Sequence, residues 1–193
     1  MLGLKLPTDP RWADIAEKNI EEILVDHAFC EHKAASTAMS LIANYPEKEE
    51  LVAEMSDLVQ EEMRHFKLVL KHLEKRNLKL GKELPDPYVK DLFKFFKKGV
   101  GREQYLINRL LIAALIEARS CERFRVLSEK LEDQELAEFY RKLMISEANH
   151  YTMFLGLARK YGNREEVDQL WQELLVYEAQ VMKSYNKHKT IHG

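Results

Sequence analysis

The sequence predicts an all-α protein, and three observations carry that prediction. Gly and Pro are scarce, at 7 and 5 of 193 residues. They are also unevenly placed: no Gly lies between Arg11 and Leu80, and no Pro follows Pro87. Apolar stripes with spacings of three and four recur along the segments between these breakers, which is helical periodicity. An all-β chain needs Gly, Pro or Asn turns every few residues, so that class is excluded. A hydrophobic fraction of 46% beside a net charge of -2 excludes disorder.

The elements follow in order. The first helix is predicted over 11–44, stopping at Tyr45-Pro46. Pro46 opens the second, 47–77, at its first turn. Gly81 to Pro87 (GKELPDP) reads as a loop and begins a long crossover. A short amphipathic piece, Tyr88 to Lys98, meets Gly99-Val100-Gly101. The third and fourth helices are predicted over 102–130 and 134–160, the latter ending at Tyr161-Gly162-Asn163. An additional C-terminal helix, 164–187, precedes a polar tail. One domain over 1–193 is expected, with ample apolar material for a core.

Several function classes drop out. No run of 18 apolar residues exists to span a membrane. Met1 to Trp12 lacks the basic start and apolar stretch of a signal peptide. Cys30 and Cys121 make neither a disulfide framework nor a CxxC knuckle. A cytoplasmic, reduced protein is the expectation.

The main anomaly lies on the stripes. The first helix reads Ile20, Leu24, His27, Glu31, Ala34, Ala38, Ile42, and the second Leu51, Met55, Leu58, Glu62, His65, Val69, Leu73. The third reads Leu106, Leu110, Ala113, Glu117, Cys121, Phe124, Leu127, and the fourth Leu136, Tyr140, Leu143, Glu147, His150, Phe154, Leu157. Each stripe carries a carboxylate at its centre. An ionised carboxylate in an apolar core is costly without a counter-charge, and four converging ones repel one another further. Two divalent cations answer both problems. Glu62-x-x-His65 and Glu147-x-x-His150 place an oxygen and an imidazole nitrogen on one helix face at i and i+3. One Glu from each of two helices with Glu-x-x-His from two others is the di-iron or di-manganese recipe of ferritin-like four-helix bundles.

The register agrees with that recipe. Glu31 precedes Glu62 by 31 residues and Glu117 precedes Glu147 by 30, so each hairpin brings its pair to one height. With 24 Glu and 7 His, roughly one Glu-x-x-His is expected by chance, so the four matched stripes carry the argument. The expected fold is a ferritin-like four-helix bundle with a long crossover and an extra C-terminal helix. A second alignment, shifted by 91 residues, pairs Asp26 with Glu117 or Glu31 with Glu122. Stripe position and hairpin length favour Glu31 with Glu117, leaving Glu122 as a salt-bridged flank or a partner of a ligand. His27 reads as a core group or a ligand's partner, and His32 as solvent-facing. Glu61, Tyr105 and Tyr151 are candidates to hydrogen-bond the ligands.

DHAFCEHKAA (26–35), EEMRHF (61–66), IEARSCERF (116–124) and SEANHY (146–151) resemble the MiaE-type tRNA hydroxylases over nearly the whole chain. The resemblance implies a di-iron site that hydroxylates the isopentenyl group of 2-methylthio-N6-isopentenyladenosine next to the tRNA anticodon. It carries ligand roles to Glu31, Glu62, His65, Glu117, Glu147 and His150, with Glu62 and Glu147 bridging two iron ions. It also implies O2 as co-substrate, an external electron donor and a reductase partner. The sequence departs from the family pattern at Asn149-His150-Tyr151, where an Arg-His-Phe-like ending is expected; the ligand itself is kept.

A tRNA substrate calls for a phosphate-binding surface. The expected one is Lys94, Lys97, Lys98 and Arg102 with Phe95 and Phe96 between them. The tail, with Lys183, Lys187, His188 and Lys189, is the second. Two other classes stay open on the residues alone. One is a ferritin- or rubrerythrin-like iron-storage or peroxide-scavenging protein, the other a di-metal oxidase of a small substrate. A metal-free helical scaffold is the third alternative.

Overall fold

A computed structural model of the chain describes residues 2–83, 87–185 and 191. These form seven helices and no strand: α1 (Trp12–Glu17), α2 (Ile20–Asn44), α3 (Glu49–Lys75), α4 (Tyr88–Phe93), α5 (Arg102–Lys130), α6 (Gln134–Tyr161) and α7 (Arg164–Tyr185). No helix among the described residues is long and apolar enough to cross a membrane. The chain divides into two compact units, one built on residues 16–85 and the other on 1–15 and 86–188.

The smaller unit is the hairpin of α2 and α3. The expected helix over 11–44 is interrupted before α2, because Asn19 takes a non-helical conformation (φ -134°, ψ 40°). Asn has weak helix propensity, so the break falls where continuing the helix is least favoured. Pro46 does not open α3 as expected. Lys48 N donates to Tyr45 O at 3.1 Å, which places Pro46 second in a four-residue turn, where its fixed φ fits. The hairpin then packs Leu24, Ala28, Ala35, Ala38 and Leu41 of α2, and Leu51, Met55, Leu58, Val69 and Leu73 of α3, all buried. The stripe on α2 departs from expectation at two places, where Ala35 and Leu41 are buried while the expected Ala34 and Ile42 are half-buried.

The larger unit is organised by α5, which is buried nearly all round from Leu106 to Ser128. α6 follows after three residues, and Asp133 Oδ1 caps it by accepting from Leu136 N at 3.0 Å. Gly162 joins α6 to α7 at a position closed to other residues. A Cβ there would lie 2.7 Å from Val167 Cγ2 and 2.8 Å from Ile107 Cδ1. The amphipathic piece expected over 88–98 is helical only to Phe93, and then unwinds through i→i−3 bonds at Lys94, Phe95 and Phe96. α7 is observed to Tyr185; Asn186 and Lys187 of the expected helix lie outside the described residues.

The back of α5 carries a second set of buried charges. Arg119 is fully buried; its Nε and Nη2 donate to Glu178 Oε1 at 2.9 and 2.6 Å, and its Nη1 donates to Glu122. Arg119 Nη2 also reaches Leu6 O at 3.0 Å. Thr8 donates to Glu122 Oε2 from both N (3.1 Å) and Oγ1 (2.7 Å), and Tyr88 OH donates to Glu178 Oε1 at 3.1 Å. Arg123 is buried beside this group with its guanidinium 4.1 Å from the Trp12 ring centroid, and burial pulls its pKa down to about 9. The network ties the N-terminal segment, α4 and α7 to α5. Arg119→Met leaves two buried carboxylates without their cation, so it should lower unfolding free energy by about 3–5 kcal/mol. Urea unfolding followed by circular dichroism measures this, and a loss below about 1 kcal/mol would show the network adds no net stability.

Candidate metal centre

In the α2–α3 unit, Glu31, Glu62 and His65 are all buried, and each offers a donor atom within 4.8 Å of the others. His65 Nδ1 lies 3.4 Å from Glu62 Oε2 and 3.8 Å from Glu31 Oε2. Two neighbours hold these groups from behind. His27, fully buried one turn before Glu31, brings Nε2 to 2.6 Å from Glu31 Oε1. Glu61 Oε1 lies 3.7 Å from His65 Nε2, leaving Nδ1 turned to the carboxylates. Such backing fixes ring orientation and tautomer in metal-ligating histidines.

The α5–α6 hairpin repeats the arrangement. Glu117, Glu147 and His150 are buried, and His150 Nδ1 lies 3.9 Å from Glu117 Oε2. On α5, Ala113 and Cys121 flank Glu117 by one turn, and on α6 Leu143 and Phe154 flank the Glu-x-x-His element; all are buried. The carboxylates are buried in both hairpins, which is what gives them their cost.

That cost shows in the proton affinities. Burial pushes the Glu31 carboxyl well above the ordinary carboxylate range, and the like charge of Glu62 adds to it. Burial alone would lower His65, but the Glu31 and Glu62 carboxylates outweigh it and raise the ring to about 10. The α2–α3 cluster therefore demands positive charge, from protons or from a cation. Hard carboxylate oxygens with imidazole nitrogen suit iron or manganese, so the donor set fits such an ion.

The remaining expected site residues are placed as follows. Lys94 is exposed with Nζ 2.5 Å from Asp91 Oδ1; Lys97 and Lys98 are exposed in the turn after α4, and Arg102 is exposed at the start of α5. Phe95 and Phe96 are half-buried and pack against each other at 5.0 Å, with Phe95 5.3 Å from Tyr177. Their rings serve the α4–α7 contact rather than an open stacking platform. Tyr105 is 49% exposed, so it does not support a buried ligand. Tyr151 packs against Trp171 at 5.9 Å, which turns the SEANHY departure towards α7. His32 is exposed as expected, and Glu122 is salt-bridged to Arg119. Asp26 is buried and accepts from Ile191 N at 2.7 Å. Lys183 is exposed, while Lys187, His188 and Lys189 lie outside the described residues. Arg119 and Glu178 were not singled out from sequence; the available signal was too many charges on a helix whose other residues are apolar all round.

The fold and the two carboxylate–histidine clusters define the class first: an all-α, ferritin-like protein whose helices carry donor sets that could hold a metal ion. Residues 2–193 match the family tRNA-(MS[2]IO[6]A)-hydroxylase (MiaE), and the chain belongs to that family. A tRNA 2-(methylsulfanyl)-N(6)-isopentenyladenosine(37) hydroxylase of Pseudomonas putida is 36% identical over 190 residues, covering 98% of this chain and 91% of the relative. The enzyme of the same name from Salmonella typhimurium is 30% identical, covering 81% of this chain and 75% of the relative. Among solved structures, a protein with aldehyde deformylating oxygenase activity from Synechococcus superposes with a TM-score of 0.91 at 32% identity, over 98% of this chain and 95% of the other.

The proton affinities give a sign for pH dependence. His65 is raised above its unfolded value of 6.5, so its contribution is complete below pH about 6.5 and is lost as pH rises through about 10. The raised Glu31 carboxyl acts in the same direction. Chelator-stripped protein should lose thermal stability between pH 6.5 and about 10, and His65→Gln should flatten that slope. Scanning calorimetry across this range decides it; equal slopes in the two proteins would contradict the coupling.

Proposed function

We infer that this protein is a tRNA hydroxylase that adds oxygen to the isopentenyl group of 2-methylthio-N6-isopentenyladenosine next to the anticodon. The observation that carries the reading is the repeated half-site: each hairpin presents a buried Glu and a Glu-x-x-His at matching height. Glu31, Glu62, His65, Glu117, Glu147 and His150 would together hold two iron ions. Four carboxylates then balance two divalent charges, which removes the burial cost that each half-site carries alone. When bound, the irons supply the redox chemistry that uses O2 as co-substrate, with electrons from an external donor delivered by a reductase. The setting is the cytoplasm, where tRNA is found.

The chain's own residues do the rest. His27 holds one oxygen of Glu31, so the other keeps its direction. Glu61 Oε1 stands 3.7 Å from the outer nitrogen of His65, an ion-pair contact. Leu58, Val69, Leu143 and Phe154 keep bulk water from the turns that flank the ligands. Lys97, Lys98 and Arg102, with Lys94 against Asp91, offer cations to tRNA phosphates.

Family membership supports the hydroxylase over an iron-storage protein. A second reading has one specific support, the Synechococcus neighbour with aldehyde deformylating activity. Anaerobic iron loading, reduction and O2 exposure with prenylated tRNA or with a long-chain aldehyde separates the two. An added oxygen in the tRNA nucleoside, read by mass analysis at about two irons per chain, is the expected result. Aldehyde consumption with unmodified tRNA would favour the other reading. Glu62→Ala and Glu147→Ala should each abolish metal binding and hydroxylation; retention of two metals in either variant would contradict these ligand roles. Reversing Lys94, Lys97 and Lys98 to Glu should weaken tRNA binding while iron loading persists. Unchanged affinity at low and moderate salt would remove that patch from the interface.

A further inference from the structure

Between Arg64 and Lys82 the chain carries seven Lys and Arg against a single carboxylate, Glu74, within a protein of net charge -2. Arg64, Lys67, Lys71 and Lys75 recur at intervals of three, four and four on α3, and all four are exposed. At about 1.5 Å per residue they form one stripe about 16 Å long. Each residue turns the helix by about 100°, so the stripe lies roughly a third of a turn around from His65. The helix dipole accounts for basic residues in the last turn, where Lys75 sits, but not for Arg64, Lys67 and Lys71 upstream. Those three have no carboxylate partner among the described residues. Leu68, 36% exposed, lies in the stripe among the cations.

The end of α3 prolongs this surface. Asn77 takes a left-handed conformation (φ 56°), and Leu78 N donates back to Leu73 O at 3.0 Å, a Schellman-type stop. The chain then leaves the helix and presents Lys79 and Lys82, both exposed.

We propose that this face of α3 and the segment after it form a track for the ribose–phosphate backbone of the tRNA substrate. Cations at one per helical turn, unopposed by carboxylates, complement a regular polyanion. The track shares its helix with Glu62 and His65 and starts one residue from His65, so backbone binding and ligand placement are mechanically one element. This rests on the tRNA-hydroxylase reading and adds to it a binding surface separate from Lys94–Arg102.

The test compares iron-loaded wild-type protein with Lys67→Gln/Lys71→Gln/Lys79→Gln. A second triple variant, Lys5→Gln/Lys18→Gln/Lys130→Gln, makes the same net charge change elsewhere. Affinity for prenylated tRNA is measured across a salt series. Each lost phosphate contact removes about 0.7–0.9 from the slope of log affinity against log salt. The first variant should lose about two units of slope and bind roughly ten-fold or more weakly at moderate salt. Its KM for tRNA should rise while kcat, iron content and helicity are kept. The control variant should keep the wild-type slope. An unchanged slope in the first variant, or an equal loss in the control, overturns the track. So does a lost affinity for an acidic protein or an anionic vesicle with tRNA binding intact. Wild-type protein that turns over no tRNA at all instead overturns the hydroxylase reading, which separates the two failures.

Discussion

Charge without water is the constraint on which the rest of this structure depends. A carboxylate in an apolar interior must find a cation or a proton, and this protein meets the requirement in two different ways. Behind α5, Glu122 and Glu178 share Arg119, a permanent cation supplied by the chain, and accept further hydrogen bonds from Thr8 and Tyr88. The result is a tie between the N-terminal segment, α4, α5 and α7. On α2 and α3, Glu31 and Glu62 face His65, whose ring they raise to about 10, and His27 lies 2.6 Å from Glu31. A titratable partner can be displaced, whereas a guanidinium cannot. The contrast separates buried charge that builds the fold from buried charge kept available for an ion.

The two hairpins repeat their geometry more closely than their chemistry. The His Nδ1 to Glu Oε2 separations are 3.8 and 3.9 Å. The supports differ. His27 stands one turn before Glu31, while the matching position before Glu117 is Ala113. Glu61 backs His65, while Ser146 holds the matching position before Glu147. The half-site on α2 and α3 thus carries an imidazole and a carboxylate where the other half-site has Ala113 and Ser146. α3 is also the helix with the basic exposed face, so one element joins two kinds of electrostatic demand, inward for cations and outward for a polyanion.

Much of this was legible in one dimension. Scarce Gly and Pro, with three-and-four stripes, determined long helices, and the helices over 102–130 and 134–160 fall within a residue of those ends. Periodicity is a property of neighbouring residues, so it survives without knowledge of packing. The burial of the six candidate ligand positions was legible for the same reason: a carboxylate on an apolar stripe is a local contradiction. Boundaries set by single dihedrals were less legible. Asn19 breaks a pattern that continues through it, and Pro46 serves a turn rather than a helix start.

What the sequence alone determined, then, is the helical class, the stripes and the chemistry of the residues placed on them. Tertiary structure alone decided which of those residues meet. Arg119, Glu178, Thr8 and Tyr88 come from four segments up to 170 residues apart, and no local pattern marks them as one cluster. Packing also decided that Phe95 and Phe96 are spent on Tyr177 and each other, and that Tyr105 faces solvent. Helical spacing tells which face a side chain occupies, but the partner of that face is chosen by contacts distant in sequence, and burial follows from that choice.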